Sequence, residues 1–115
     1  MTIVLVSNDL TVLSRVEGAT TRFGQAVRGA SGESQAVQLC EAGDANTVIV
    51  DLSTTSLDVA SLVNRLKSKD GSVTRVVAFG PHVHEQRLAA AREAGCDVVV
   101  SRGQFFSQLE TILKG

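Results

Sequence analysis

The stretch TVIVD, residues 47–51, decides the fold of this chain. Its apolar run from Thr47 to Val50 is continuous and rich in β-branched residues, so both faces of the predicted strand are expected to be buried. Strands of this kind are typical of a parallel sheet between two layers of helices. Three further runs have the same character, namely Thr2 to Val6, Val73 to Phe79 and Asp97 to Val100. The sequence therefore predicts four buried parallel strands.

Five segments with helical character accompany these strands. Three of them carry an apolar stripe at helical spacing: Val12, Val16, Ala19 and Phe23; Val59, Leu62, Val63 and Leu66; and Phe106, Leu109, Ile112 and Leu113. Ser34 to Ala42 and Glu85 to Ala94 are instead rich in alanine and other good helix formers. A glycine follows each predicted helix, where a left-handed residue ends a helix at no steric cost: Gly24, Gly43, Gly71, Gly95 and Gly115.

A fifth strand is needed before the second helix, and Gln25 to Ala30 is the only segment available for it. Arg28 and Gly29 make it a poor strand, so we expect it at a sheet edge, where charge discourages unwanted pairing. Right-handed crossovers then place helices on both faces of the sheet. We predict one domain over residues 1–115 with an α/β, flavodoxin-like fold. This is a (βα)5 three-layer sandwich with strand order 2-1-3-4-5, whose ligand site lies beyond the carboxyl ends of the strands.

The composition excludes several classes of function. The 115 residues are 43% hydrophobic, which suits one domain with one core, and 11 basic against 12 acidic residues give a net charge of -1. With no basic tract, direct nucleic-acid binding is not expected. The apolar runs are too short to cross a membrane and no secretory signal is visible, so we expect a soluble cytoplasmic domain. Cys40 and Cys96 have no CxxC spacing and are expected to be small buried hydrophobes.

Four groups of residues follow the predicted strands and should meet at one rim of the sheet. Ser7, Asn8 and Asp9 follow the first strand and Asp51 follows the third, while Gly80 and Arg102 follow the fourth and fifth. No glycine-rich phosphate loop is present, which disfavours a Rossmann-type enzyme. We predict that Asp51 and Arg102 lie close enough for a direct or water-bridged ion pair.

This arrangement resembles the CheY-like receiver domain of bacterial response regulators, over essentially the whole chain. Asn8 and Asp51 are 43 positions apart, Asp51 and Gly80 are 29 apart, and Gly80 and Arg102 are 22 apart, all close to the separations of that family. The GCD turn at residues 95–97 and the stretch VIVDLSTTSLD at residues 48–58 also resemble family motifs. The resemblance implies that Asp51 is the candidate phosphoacceptor.

Several positions depart from the family pattern. The acidic pair that would hold Mg²⁺ with the acceptor is replaced by Ser7 and Asn8. A metal site made of Asp51 and Asp9 would be weak, because Mg²⁺ requires several oxygen ligands and Asp9 is the predicted N-cap of a helix. Gly80 replaces a Ser or Thr, Arg102 replaces a Lys, Gly103 replaces a Pro, and Val99 replaces the switch aromatic. The sequence therefore predicts no firmly bound cofactor and at most weak binding of Mg²⁺.

Two interpretations of function remain open. In the first, the chain is a degenerate receiver, a pseudo-receiver that is not an enzyme and acts through protein–protein interaction in a two-component, phosphorelay type of pathway. Its partner would be a histidine kinase, an output domain or a second copy, bound at the face of the fourth helix, fifth strand and fifth helix. In the second, an atypical but active receiver accepts a phosphoryl group on Asp51 from a histidine kinase. A small flavodoxin-like ligand-binding domain is disfavoured, because only Phe79 among the aromatic residues approaches the rim.

Other residues have structural interpretations beside functional ones. Asp51 could simply pair with Arg102 or cap the turn at Ser53 to Thr55. His82 and His84 could be metal ligands, but two ligands do not make a site and a solvated loop explains them. Phe105 and Phe106 could anchor a partner, although their helical spacing with Leu109 and Ile112 places at least one of them in the core.

Overall fold

The computed structural model describes residues 2–42, 45–54, 57–67 and 75–114. Strands and helices alternate along the chain, as the sequence predicts, except that two helices follow one another directly after the last strand. The strands are β1 (Thr2–Val6), β2 (Ala26–Ala30), β3 (Ala45–Asp51), β4 (Arg75–Gly80) and β5 (Val98–Ser101). The helices within these residues are α1 (Leu10–Thr21), α2 (Glu33–Ala42), α3 (Val59–Lys67), α4 (Glu85–Ala94), α5 (Arg102–Ser107) and α6 (Leu109–Lys114).

The five strands form one parallel sheet in the order β2-β1-β3-β4-β5. The predicted flavodoxin-like topology is thus confirmed, with β1, β3 and β4 as inner strands and Asp51 paired with Phe79 at the end of the register. The prediction that Asp97 to Val100 is a buried strand is wrong, because β5 is an edge strand and all of its residues are partly exposed. The poor strand β2 lies at an edge, as expected, and most of its residues are at least partly exposed. Val73 and Thr74, which the sequence assigns to the fourth strand, lie outside the described residues.

Two apolar layers cover the sheet because alternate side chains of each strand point to opposite faces. Val4, Val48 and Val76 pack in the layer beneath α2, α3 and α4. Ile3, Ile49 and Val77 pack in the other layer, against α1, α5 and α6. Since both faces are covered, the inner strands need apolar residues at every position, which explains the continuous apolar runs.

Two of the five predicted helix-ending glycines can be assessed. Gly95, with a φ angle of 101°, is the left-handed C-cap of α4, as predicted. The prediction for Gly24 is wrong in position, because α1 ends at Thr21 with Arg22 as its C-cap and Gly24, with a φ angle of 69°, lies two residues beyond that cap. Gly43, Gly71 and Gly115 lie outside the described residues. No helix among the described residues has the length and apolarity needed to span a bilayer.

The last helical segment differs from the prediction of a single fifth helix, because it is interrupted at Gln108. The core residue at its start is Phe105 rather than Phe106. Phe105 is fully buried and its ring stacks on that of Phe79 with centroids 4.2 Å apart. Phe106 is only partly buried, and the Arg15 guanidinium lies 3.9 Å from its ring centroid. Both residues fit helical spacing and both rings contact Phe79, with centroid distances of 4.2 Å for Phe105 and 5.8 Å for Phe106, but only the stacked Phe105 is fully buried.

Candidate functional site

Asp51 is the last residue of β3 and is buried, with 3% of its surface exposed. The Ser7 hydroxyl donates a hydrogen bond to its Oδ2 over 2.8 Å. The Ser53 N–H donates to its Oδ1 over 3.0 Å. Both carboxylate oxygens therefore have a donor from the protein, which a buried carboxylate requires. The bond from Ser53 supports the interpretation of Asp51 as the cap of the following turn.

Ser7 and Asn8 leave β1 at the same rim but have different surroundings. Ser7 is half-buried, and its Oγ accepts a hydrogen bond from the Asp9 N–H over 3.1 Å while it donates to Asp51. Asn8 is exposed. The two positions that would carry an acidic pair thus supply one hydroxyl donor and one solvated amide, instead of two carboxylates.

Asp9 is the N-cap of α1, as the sequence predicts. Its Oδ1 accepts from the Thr11 N–H over 2.9 Å, and its Oδ2 forms an ion pair with Nη2 of Arg102 over 3.5 Å. The Thr11 N–H lowers the pKa of Asp9, and the Arg102 guanidinium adds to this effect. Each carboxylate oxygen of Asp9 therefore already has a partner.

Of the direct or water-bridged ion pair predicted between Asp51 and Arg102, the direct form is wrong, while the water-bridged form stays a prediction. Among the described side chains, the carboxylate within ion-pair distance of Arg102 is that of Asp9, and both Asp9 and Arg102 are partly exposed. The physical reason is that Asp51 is buried with its own donors, whereas Asp9 lies at the surface where a long guanidinium side chain reaches it without losing its hydration.

Four of the predicted site residues line one open cleft of about 520 Å³ at the carboxyl ends of the strands. They are Asn8, Asp9, Asp51 and Arg102. Ser7 does not line the cleft but is hydrogen-bonded to Asp51, which does. Sequence reasoning did not single out Thr54, which is buried in the same wall. Its N–H donates to the Asp51 carbonyl oxygen over 3.0 Å, and its hydroxyl lies 3.5 Å from the Val6 carbonyl oxygen. A polar residue three positions after a buried aspartate was the only available signal.

Gly80 ends β4 and is not among the described residues that line the cleft. A Cβ atom added there would lie 3.2 Å from the Cβ of Leu52, closer than an ordinary contact. The Leu52 N–H donates to the Phe79 carbonyl oxygen over 2.9 Å and holds the leucine beside Gly80. Leu52 thus packs against the space where a Ser or Thr side chain would begin.

Comparison with known proteins gives matches to solved structures. No protein-family model and no curated protein matches the sequence. The receiver domain of the sensor histidine kinase PA1611 from Pseudomonas aeruginosa is 18% identical, with a TM-score of 0.82 over 98% of this chain and 93% of that one. A putative response regulator from Chloroflexus aurantiacus is 19% identical, with a TM-score of 0.79 over 99% and 98%. The NtrX receiver domain from Brucella abortus is 17% identical, with a TM-score of 0.81 over 97% and 94%.

This chain has the CheY-like receiver fold. The PA1611 receiver domain holds a magnesium ion in its active-site cleft. In the receiver fold of this chain, the corresponding cleft does not fit such an ion well. Asp51 and Asp9 are its only carboxylates among the described lining residues, and Asp9 is committed to a helix cap and to Arg102. Nowhere in residues 2–42, 45–54, 57–67 and 75–114 do three His, Cys, Asp or Glu side chains form a group able to hold a metal.

The two histidines of this receiver fold lie outside the cleft. His82 and His84 are exposed in the loop between β4 and α4. His84 occupies the N-cap position of α4 without a side-chain capping bond. Their exposure agrees with the interpretation of this segment as a solvated loop.

Proposed function

We propose that this chain is a receiver-like signalling domain that acts by binding other proteins, without the Mg²⁺-dependent phosphotransfer cycle. The observation that carries the proposal is the set of contacts of Asp51. Its buried carboxylate is bonded to the Ser7 hydroxyl and the Ser53 N–H, at a rim that offers no acidic pair to hold a hard cation. Without that cation, the charge that develops during phosphoryl transfer has little to offset it.

The binding surface in this proposal is the face formed by α4, β5, α5 and α6. The proposed partners are a histidine kinase, an output domain or a second copy of the chain. The NtrC4 receiver domain, which matches this chain with a TM-score of 0.77 at 11% identity, forms a dimer in its beryllofluoride-activated state. Nucleic acid and membrane are not among the proposed partners.

The face should also stay in one form. In the resembling family, a Ser or Thr hydroxyl moves toward the phosphoryl group, and an aromatic side chain changes position in response to that hydroxyl. Gly80 and Val99 occupy the two positions here, so both side chains are missing. A ligand shifts an equilibrium only through contacts that differ between the two states. Self-association measured with and without beryllofluoride, an acyl-phosphate mimic, bound at Asp51 should therefore change by less than about tenfold, or roughly 1.4 kcal/mol.

The second candidate function is an atypical active receiver that accepts a phosphoryl group on Asp51. It is favoured by one observation, namely that Asp51 borders an open cleft together with the cation of Arg102. In that reaction, an Asp51 carboxylate oxygen would bond to phosphorus as the bond between phosphorus and the donor atom breaks. The guanidinium would be the local positive charge.

Incubation with acetyl phosphate and Mg²⁺, followed by mass spectrometry, separates the two candidates. We expect no phosphorylated species from the natural chain, with Asp51→Asn as the control for any modification elsewhere. An adduct that Asp51→Asn abolishes would overturn the main proposal and support the active receiver.

A metal titration followed by NMR tests the reason given for the inactivity. We expect no saturation of shifts near Asp51 at about millimolar Mg²⁺. The double variant Ser7→Asp with Asn8→Asp restores two carboxylates and should bind Mg²⁺ more tightly than the natural chain. Equal, saturable binding by both proteins would show that the missing acidic pair is not the cause.

A further inference from the structure

An open groove of about 600 Å³ lies between α1 and the junction of α5 with α6, beside the interruption at Gln108. It shares no described lining residue with the cleft that contains Asp51. Arg15, Gly18 and Arg22 line it from the side of α1. A Cβ atom added at Gly18 would meet no atom within 4 Å, so this wall leaves room for a ligand.

The Arg15 guanidinium is held in place at one part of the groove by an aromatic ring. Its Cζ lies 3.9 Å from the ring centroid of Phe106, which also lines the groove. Arg102 approaches the same ring at 5.4 Å but is paired with Asp9, whereas no described carboxylate lies within ion-pair distance of Arg15. A guanidinium stacked on a ring still has its N–H groups at its edge, and their planar fork matches a carboxylate. Arg15 can therefore bind a carboxylate from outside the chain.

Arg22 already binds a carboxylate at the same groove. Its Nη1 forms an ion pair with Oε1 of Glu110, and the two side chains are 71% and 49% exposed. Arg15 and Arg22 are seven positions apart, which is two helical turns, or about 10 Å along the helix axis. An exposed ion pair of this kind contributes little stability, so an external carboxylate can replace Glu110 at small cost.

We propose that this groove binds an acidic segment of a partner protein, with one carboxylate on Arg15 and a second that displaces Glu110 from Arg22. The inference deepens the proposed function, on which it rests, because it names the chemistry of a partner and adds α1 to the binding surface. Glu110 is then an internal competitor that occupies Arg22 until the partner binds.

An NMR titration of the intact chain with a capped hexaglutamate peptide tests the inference. We expect saturable shifts of groove amides such as those of Gly18 and Ser107. Arg15→Gln should weaken binding about fivefold, because a charged donor to the peptide is lost. Glu110→Gln should tighten binding about threefold, because Arg22 is released and a repelling charge is removed. A gain in affinity cannot result from misfolding, so the second variant keeps the test decisive.

Matched variants separate the groove from general charge effects. Arg92→Gln and Glu93→Gln make the same charge changes at exposed positions of α4, which packs on the opposite face of the sheet from α1. At physiological ionic strength, each should leave the affinity within about twofold of the natural chain, because distant charges are screened. Gly18→Leu keeps every charge and improves helix propensity, but it fills the groove and should weaken binding more than about fivefold.

Three results would overturn the inference. They are equal affinities of Arg15→Gln and Arg92→Gln, no gain in Glu110→Gln over Glu93→Gln, and undiminished binding by Gly18→Leu. Inorganic phosphate at equal ionic strength should bind at least about tenfold more weakly than the peptide, because it offers one charged group instead of several. Equal binding of phosphate would indicate a small-anion site and would also overturn the inference. No phosphodonor is used and Asp51 does not line the groove, so this failure is distinguishable from phosphorylation of Asp51, which would overturn the proposed function.

Discussion

Removal of the Ser7 hydroxyl should destabilise the domain through Asp51. The Asp51 side chain is buried, and Ser7 is the residue that donates to its Oδ2, over 2.8 Å. Hydrogen bonds to charged groups contribute about 1.5–3 kcal/mol. Because Ser7 is half-buried beside an open cleft, water replaces part of the lost bond, and we expect Ser7→Ala to cost about 1.5 kcal/mol.

The assay is urea unfolding at pH 7, followed by far-UV circular dichroism because the chain has neither tryptophan nor tyrosine. For a domain of this size, the expected loss corresponds to a fall in Tm of about 5 °C. Asn8→Ala is the control, since Asn8 is exposed at the next position and should change stability by less than about 0.5 kcal/mol.

A double-mutant cycle with Asp51→Ala separates the bond to Asp51 from the other contact of the hydroxyl. Ser7 Oγ also accepts from the Asp9 N–H, in an exposed bond that persists in the Asp51→Ala background. Ser7→Ala should therefore cost less than about 0.5 kcal/mol in that background. The reasoning is refuted if Ser7→Ala costs the same in both backgrounds, or costs less than about 0.5 kcal/mol in the natural one.

Three further predictions follow from individual contacts. Partial burial acts to raise the pKa of Asp97, but the Val76 N–H at 2.7 Å and the Lys67 ammonium at 2.9 Å outweigh it and lower the pKa. The stabilisation from Asp97 is then present above the unfolded pKa of about 3.9 and is lost as pH falls through the folded pKa. Thermal melts of Asp97→Asn should accordingly show lower stability at pH 7 and a shallower decline below about pH 4. Burial raises the pKa of the Cys96 thiol to about 11, so its alkylation by iodoacetamide at pH 8 should be about a hundredfold slower than that of a free cysteine. Gly80→Ala should cost about 1 kcal/mol in urea unfolding, because its Cβ would crowd Leu52; an unchanged midpoint would contradict the tight packing.

Much of the fold is predictable from local patterns. The apolar runs at Thr2–Val6 and Thr47–Val50 predict inner strands correctly, because burial on both faces requires apolar residues at every position. The edge location of β2 is also predictable, because Arg28 and Gly29 suit a strand that is partly exposed rather than one buried on both faces. The interruption of the last helical segment at Gln108 was not predictable, since the sequence there carries neither proline nor glycine and helical spacing continues through it.

The sequence by itself determined the strands, most of the helices, their order and the residues that follow the strands, because periodicity and capping act over a few neighbouring positions. Asp9 as the cap of α1 is a local feature of this kind. Only the tertiary structure decided that Arg102 pairs with Asp9 rather than Asp51, that Ser7 donates to Asp51, and that Phe105 enters the core. These contacts join residues far apart in sequence, and each depends on how deeply the side chains are buried. The buried Asp51 carboxylate accepts from short donors close to it, whereas the long Arg102 cation remains at the solvated surface.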